Sequence, residues 1–223
     1  MISMPHSGMN KSDCFITIKK YIQMKNILHI ISSPRGEASM SIKLGNAIVA
    51  KIQDTYPGSI VKESNLVNKQ FPHLEEAHLN AFYTPVEKRS PENRLAVKHS
   101  DEAIQEIKDA DILVIGVPFY NFGIHSTLKA WIDHIARAGV TFQYGATGPE
   151  GLIKDKKIYL AIASGGVYSD GPMQGYDFAA PYLKAVLGFL GMTDVTVFRV
   201  EGVNMPDLKE TALEKGINSI QIS

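Results

Sequence analysis

Ile27-Leu28-His29-Ile30-Ile31-Ser32, followed at once by Ser33-Pro34-Arg35-Gly36-Glu37-Ala38-Ser39-Met40-Ser41, is the stretch that decides the fold. The first six residues are a short apolar run rich in β-branched side chains, the pattern of a strand buried on both faces. Turn formers follow, and over residues 41–56 Leu44, Ile48 and Ile52 recur at four-residue spacing, one face of a helix that stops before Pro57-Gly58. A second strand is predicted over 59–65. Strand, serine-rich loop, helix, strand is the beginning of a parallel, doubly wound arrangement.

The same alternation continues to the end of the chain. Residues 68–89 have no clear period, with a short helix at most over 74–82. Ser90 reads as an N-cap with Pro91 and Glu92 in the first turn, opening a helix to about 110 that buries Leu95, Ala103, Ile104 and Ile107. A third strand covers 111–117. A helix over 125–138, with Leu128, Trp131, Ile132 and Ile135 inward, is expected to close at Gly139. Strands at 156–164 and 193–201 flank a helix at 179–190 ending at Gly191, and a last helix covers 206–220. Five strands alternating with helices predict an α/β fold, an open five-stranded parallel sheet with helices on both faces. In such a sheet ligands bind beyond the carboxyl ends of the strands, so the loops after the first, third and fourth strands are where chemistry belongs.

Bulk properties narrow the class. At 223 residues the chain suits one domain with a substantial core. It carries 23 basic and 23 acidic residues, a balance that draws in neither nucleic acid nor an acidic membrane surface. No apolar run is long enough to span a bilayer, so neither partner is expected. Cys14 is the only cysteine, which excludes an internal disulfide or a multi-cysteine metal site and points to a reducing, cytoplasmic setting. Residues 1–23 show no periodicity and no signal-peptide core. They are predicted to be a disordered N-terminal extension to a domain over 24–223.

The three loops differ in chemistry. In the first, free N–H groups at a helix N-terminus favour an anion, and Ser33, Ser39 and Ser41 add hydroxyl donors suited to phosphate; serines also form caps and turns. It has neither the lysine of a triphosphate-binding loop nor the glycine pattern of a pyrophosphate-binding one, so a terminal monophosphate is the expected guest. Glu37 is expected to face solvent. The third-strand loop, Pro118-Phe119-Tyr120-Asn121-Phe122-Gly123-Ile124, crowds three aromatics into four residues. They could cap the core, or hold a flat heteroaromatic ring. The fourth-strand loop, Ser164-Gly165-Gly166-Val167-Tyr168, has paired glycines that let backbone donors approach a ligand. It continues through Asp170-Gly171-Pro172 and Gly175 to Phe178, a long, partly mobile flap.

Together these stretches resemble the FMN-dependent NADH-azoreductase and NADH:quinone oxidoreductase family, within the flavodoxin-like quinone reductases. The likeness rests on Pro118-Phe119-Tyr120-Asn121-Phe122, residues 137–144 (Arg-Ala-Gly-Val-Thr-Phe-Gln-Tyr), Gly148-Pro149-Glu150-Gly151-Leu152, Asp170-Gly171-Pro172, Pro181-Tyr182-Leu183 and residues 187–191 (Leu-Gly-Phe-Leu-Gly), and it covers about 24–203. It implies a flavodoxin-like fold with one non-covalent FMN per subunit. The implied phosphate contacts are Ser33 and Ser39-Met40-Ser41. The implied ring contacts are Phe119, Tyr120, Asn121 and Phe122, with further contacts from Ser164, Gly165, Gly166 and Val167. It also implies NADH as co-substrate, quinones and aromatic azo compounds as acceptors, and a homodimer whose interface pocket Tyr144 lines. The chemistry is carried by N5 of the flavin, so no side chain is assigned a catalytic role. The chain departs from the family at two places: Met40 stands where glutamine is frequent and contributes only backbone, and Ser164 stands where an arginine often precedes the glycine pair.

The remaining candidates read as structural. The seven histidines form no close ligand pair and no metal site is predicted. His29 belongs to a strand, His125 and His134 are expected at the surface or against a partner, Phe189 in the core, and Asp101, Glu102, Glu106 and Asp109 on a solvated helix face. A second class is a non-enzymatic flavodoxin-like electron carrier or ligand-binding module. Carriers of that kind are usually shorter and strongly acidic, and the zero net charge weighs against it.

Overall fold

A computed structural model describes residues 23–69 and 71–223. The expected extension therefore lies, through residue 22, outside the described residues. In chain order the elements are β1 (Asn26–Ile31), α1 (Met40–Thr55), β2 (Ile60–Asn65), α2 (Leu66–Lys69), α3 (Glu76–Tyr83), α4 (Pro91–Asp109), β3 (Ile112–Pro118), α5 (Ser126–Ile135), β4 (Phe142–Gly145), β5 (Gly148–Gly151), β6 (Lys157–Ala163), α6 (Ala180–Phe189), β7 (Asp194–Val200) and α7 (Ala212–Asn218).

Five strands form one parallel sheet in the order β2-β1-β3-β6-β7. The order reverses between β1 and β3, and the loops after these two strands open side by side at their carboxyl ends. Every residue of β3 is buried. Its side chains alternate between two cores: Leu113, Ile115 and Val117 pack with Trp131 and Ile132 of α5 and Leu183 of α6, while Ile112 and Val114 pack with Leu44, Ile48 and Ile52 of α1. Helices on both faces explain why the strands read as continuous apolar runs. The caps follow the sequence: Ser39 Oγ accepts from Ile42 N at 3.4 Å, and Ser90 Oγ from Asn93 N at 3.2 Å ahead of Pro91.

The expected strands and α1, α4 and α6 are found within a residue or two of their predicted bounds, and several details differ. Leu95 is 72% exposed; nine residues before Ile104 at about 100° per residue, it stands on the opposite side of the helix. Val97 and Ser100 are buried instead. Helix α5 ends at Ile135, three residues early. Thr141 Oγ1 accepts from Arg137 N at 2.9 Å and donates to Ile135 O at 2.6 Å, so a side chain closes the helix. Gly139, at φ +76°, serves the following turn. The last helix is shorter than expected because residues 202–211 close as successive three-residue turns, Met205 N to Gly202 O, Leu208 N to Met205 O and Thr211 N to Leu208 O.

The hairpin of β4 and β5 was not expected; its four-residue strands carry glycine and proline and leave no alternating pattern. It is held where Gly151 meets the end of α6 so closely that a Cβ there would lie 2.0 Å from Gly191 N.

The segment 66–90 folds back over α4 and α5 and buries groups that read as surface. His134 is fully buried, with Nε2 3.0 Å from Pro72 O and its ring edge-on to that of His78. Glu106 is buried, accepting from Lys69 Nζ at 2.6 Å and Ser64 Oγ at 3.1 Å. Asp101 is half exposed but pairs with buried Arg137. Phe189 is partly buried, with its ring 4.5 Å from that of Phe142.

Candidate active site

The serine loop forms the floor of a cavity of about 140 Å³ at the carboxyl ends of the strands. Ser33, Ser39 and Ser41 are all buried there, and the hydroxyls of Ser39 and Ser41 lie 3.0 Å apart. Ser39 Oγ accepts from Ile42 N, which leaves its proton to donate. Helix α1 is 16 residues long and presents its positive end to the same space. Arg35 lines the cavity and, among the described residues, no carboxylate does; Glu37 is exposed. Hydroxyl donors, helix amides and one cation, without an acid, are a donor set for a phosphate dianion. Met40 lines the cavity between the serines.

The walls come from the other two loops. Phe119 N donates to Ala163 O at 2.9 Å, which joins the starts of the third- and fourth-strand loops. Tyr120-Asn121-Phe122-Gly123 is a tight turn closed by reciprocal bonds between Tyr120 and Gly123 at 3.0 and 2.9 Å. Its central residues, Asn121 at φ +48° and Phe122 at φ +66°, are left-handed. An L-residue there costs about 1–2 kcal/mol, and the paired bonds hold it, together with Phe178 N donating to Phe122 O at 3.1 Å. Ser164 is buried, its Oγ donating to Gly166 O at 2.8 Å. The N–H groups of Gly165 and Gly166 take no partner among the described residues. A Cβ on Gly165 would stand 2.6 Å from Asn204 Nδ2, so a larger residue there would turn the Asn204 amide aside.

Past Tyr120 the small cavity adjoins one of about 1040 Å³, lined by the Tyr120–Ser126 loop, Lys129 of α5, and Phe178, Pro181 and Tyr182 at the start of α6. Its walls are mostly apolar. Lys129 Nζ is held by both oxygens of Asp133, at 2.7 and 2.8 Å, which raises its pKa; burial raises that of Tyr182 and lowers that of His125. The fourth-strand loop is clasped to β7. Glu201 accepts from Tyr168 N and Ser169 N at 2.8 and 2.9 Å, Arg199 pairs with both Glu201 and Asp177, and Asp177 accepts from Ala179 N and Ala180 N. Residues 171–176 between the clasps form a 3-10 turn.

Ser33, Ser39, Met40, Ser41, Phe119, Tyr120, Ser164 and Gly165 thus line one cavity, and Asn121 lines the adjoining one. Phe122 packs on the rings of Tyr168 and Tyr176, and Gly166 and Val167 stand just beyond Gly165, half buried. Tyr144 is apart from both cavities, on β4 and 74% exposed. The sequence reading missed Arg35, Val203 and Asn204, which line the small cavity, and Tyr168, whose ring lies 4.4 Å from that of Phe119. The signal for the two middle residues was available: they follow the fifth strand at the same carboxyl edge.

A family profile described as a flavodoxin-like fold matches residues 25–222. An FMN-dependent NADH:quinone oxidoreductase of Herminiimonas arsenicoxydans is 48% identical over 198 residues, 88% of this chain and 97% of that protein. One from Paraburkholderia phymatum is 49% identical over 191 residues, 85% and 95% of the two chains. Among solved structures, an azoreductase from Bacillus anthracis superposes with a TM-score of 0.81 at 33% identity, over 87% of this chain and 96% of that one. An FMN-dependent NADH-azoreductase from the same species, in complex with FMN, gives 0.76 at 28% identity, over 86% and 95%. With a reversing five-stranded parallel sheet, a buried serine cradle at its switch point and relatives matched over nearly their whole length, the chain belongs to the flavodoxin-like family of FMN-dependent NADH:quinone oxidoreductases.

Proposed function

We propose that this protein is an FMN-dependent NADH:quinone oxidoreductase that also cleaves aromatic azo compounds to amines. The observation that carries the reading is the buried serine cradle at the start of α1, opening past Tyr120 into a large apolar cavity. When bound, FMN supplies two-electron chemistry, accepting a hydride from NADH and passing it on. Ser33, Ser39, Ser41 and Arg35 hold its phosphate. Phe119 to Phe122 seat the ring system through aromatic contact and the left-handed turn. The N–H groups of Gly165 and Gly166, without a partner among the described residues, would offer donors to a ring that gathers negative charge on reduction. The small cavity has room for a phosphate group but not a whole nucleotide, and the adjoining apolar cavity is the space that would receive a flat substrate.

One apolar face serving two flat substrates in turn gives ping-pong kinetics: the nicotinamide product leaves before the acceptor enters. A quinone takes one cycle and full azo cleavage two. The protein acts in the cytoplasm as a homodimer, each active site completed across the interface. Exposed Phe122, Tyr144, Tyr176 and Phe178 are the surface that such an interface covers. Initial rates at several fixed quinone concentrations test the reading and are expected to give parallel double-reciprocal lines, with FMN as the released flavin by mass spectrometry. Intersecting lines, or a protein that takes up no flavin, would overturn it.

A further inference from the structure

The polar side chains lining the large cavity are those of Tyr120, Asn121, His125, Ser126, Lys129 and Tyr182, and in His125 the backbone places the ring proton. His125 is the N-cap of α5: its Nδ1 accepts from Thr127 N at 3.3 Å and lies 2.8 Å from Thr127 Oγ1. An imidazole nitrogen that accepts an amide proton carries none itself, so in the neutral ring the proton sits on Nε2. A second proton would have to go on Nδ1. It would remove the cap and set a positive charge against the positive end of the helix. Burial lowers the pKa in the same direction. His125 is thus a neutral ring whose remaining N–H faces away from the helix end, in a residue that lines the cavity beside Tyr120, with ring centroids 5.5 Å apart.

Lys129, one turn along the same helix face, also lines the cavity, but its charge is met by Asp133. The site therefore offers an acceptor neutral donors, His125 among them, and no uncompensated cation among the described residues that line it. A carbonyl oxygen suits this arrangement. A carboxylate or sulfonate does not, since it would give up its hydration for neutral hydrogen bonds without a free cation to meet its charge.

We propose that His125 is the specificity-determining residue of the acceptor site, donating its Nε2 proton in a hydrogen bond to a carbonyl oxygen of an uncharged quinone and so favouring neutral quinones over anionic azo dyes. The inference rests on the function proposed above and refines it by naming the acceptor class.

The test uses oxidised, FMN-loaded protein and titration calorimetry, so that binding is read without turnover. The probes are 1,4-naphthoquinone, naphthoquinone-2-sulfonate and azobenzene, the last having no carbonyl. His125→Ser and His125→Asp both retain an N-cap oxygen and lose the ring donor. Wild type is expected to bind the neutral quinone more tightly than the sulfonate. Both variants should bind the neutral quinone about three- to tenfold more weakly, the loss of one neutral hydrogen bond, with azobenzene affinity unchanged. The KM for the quinone should rise more than kcat falls. Unchanged quinone binding in both variants, equal loss for quinone and azobenzene, or tighter binding of the sulfonate by wild type would each overturn the proposal. Circular dichroism and bound flavin report whether the variants are folded. Failure of NADH to bleach the wild-type flavin would count against the enzyme reading alone, since the binding data still decide the role of His125.

Discussion

Replacing Ser39 and Ser41 together by alanine tests the phosphate cradle. A hydroxyl donating to a charged group contributes about 1.5–3 kcal/mol, so two independent donors would give about 3–6 kcal/mol, about 10²–10⁴-fold in Kd. The structure lowers that figure. The two hydroxyls lie 3.0 Å apart and bond to each other, so one internal hydrogen bond is exchanged when a phosphate takes both protons. The expected loss is about 100-fold, at the lower end of that range. The single variants should each lose less than half of the pair's free energy, because removing one hydroxyl releases the other to donate outward. The lost cap costs about 1 kcal/mol of stability with or without ligand, and so lowers Tm without entering Kd. Flavin fluorescence quenching on titration with apoprotein reads the affinity, with riboflavin as a parallel ligand that has the ring but no phosphate. FMN should be weakened and riboflavin little affected. An unchanged FMN Kd, or an equal loss for both ligands, would refute the assignment of this loop to the phosphate.

Burial holds the His29 imidazole down at about 4, from 6.5. Its neutral form therefore contributes stability that is full above pH 6.5 and is lost as the pH falls toward 4, to about 3 kcal/mol; a ring NMR titration midpoint near 6.5 would contradict this. Gly151→Ala sets a Cβ 2.0 Å from Gly191 N, a backbone atom that cannot swing aside. Thermal unfolding should show a loss of about 3 kcal/mol, and an unaltered Tm would mean the hairpin is not anchored there. A chain starting at Met24 is expected to retain its flavin and its turnover, and loss of either would show that residues 1–23 are needed. Light scattering at assay concentration should give twice the chain mass; a monomer with full activity would exclude a shared active site.

The parts of the fold written in local pattern were legible. Buried parallel strands leave apolar runs, caps leave Ser39 and Ser90, and the ligand loops are marked by residue types that helices and strands avoid. What depended on distant packing was not. Glu106 and His134 lie on helix faces that read as solvated until the 66–90 segment covers them. Leu95 is apolar but half a turn out of phase with Ile104, so it stands on the solvent side of α4. The β4–β5 hairpin is fixed by contact of Gly151 with Gly191 rather than by strand propensity. In the site, Ser33, Ser39 and Ser41 could be found because the serines cluster in sequence. Asn204 is outside that cluster: its place after β7 marks the same carboxyl edge, while its closeness to Gly165 is a tertiary contact.

The clasp around Arg199 sets how the fourth-strand loop can move. Glu201 pins the loop at Tyr168 and Ser169, and Asp177 pins its far end at the start of α6, with Arg199 between the two carboxylates. The tether available for motion is therefore residues 170–176, about half the span from Ser164 to Phe178, and halving a loop removes only about 0.6 kcal/mol of closure entropy. The larger effect is on direction. Both anchors lie beside β7, which holds the segment against peeling away from the sheet, and Tyr176 near its far end packs on the ring of Phe122. The side chains of Arg199, Asp177 and Glu201 are less than one-fifth exposed, too sheltered for dissolved salt to screen well. Raising the ionic strength should therefore leave both anchors, and the direction they impose, in place.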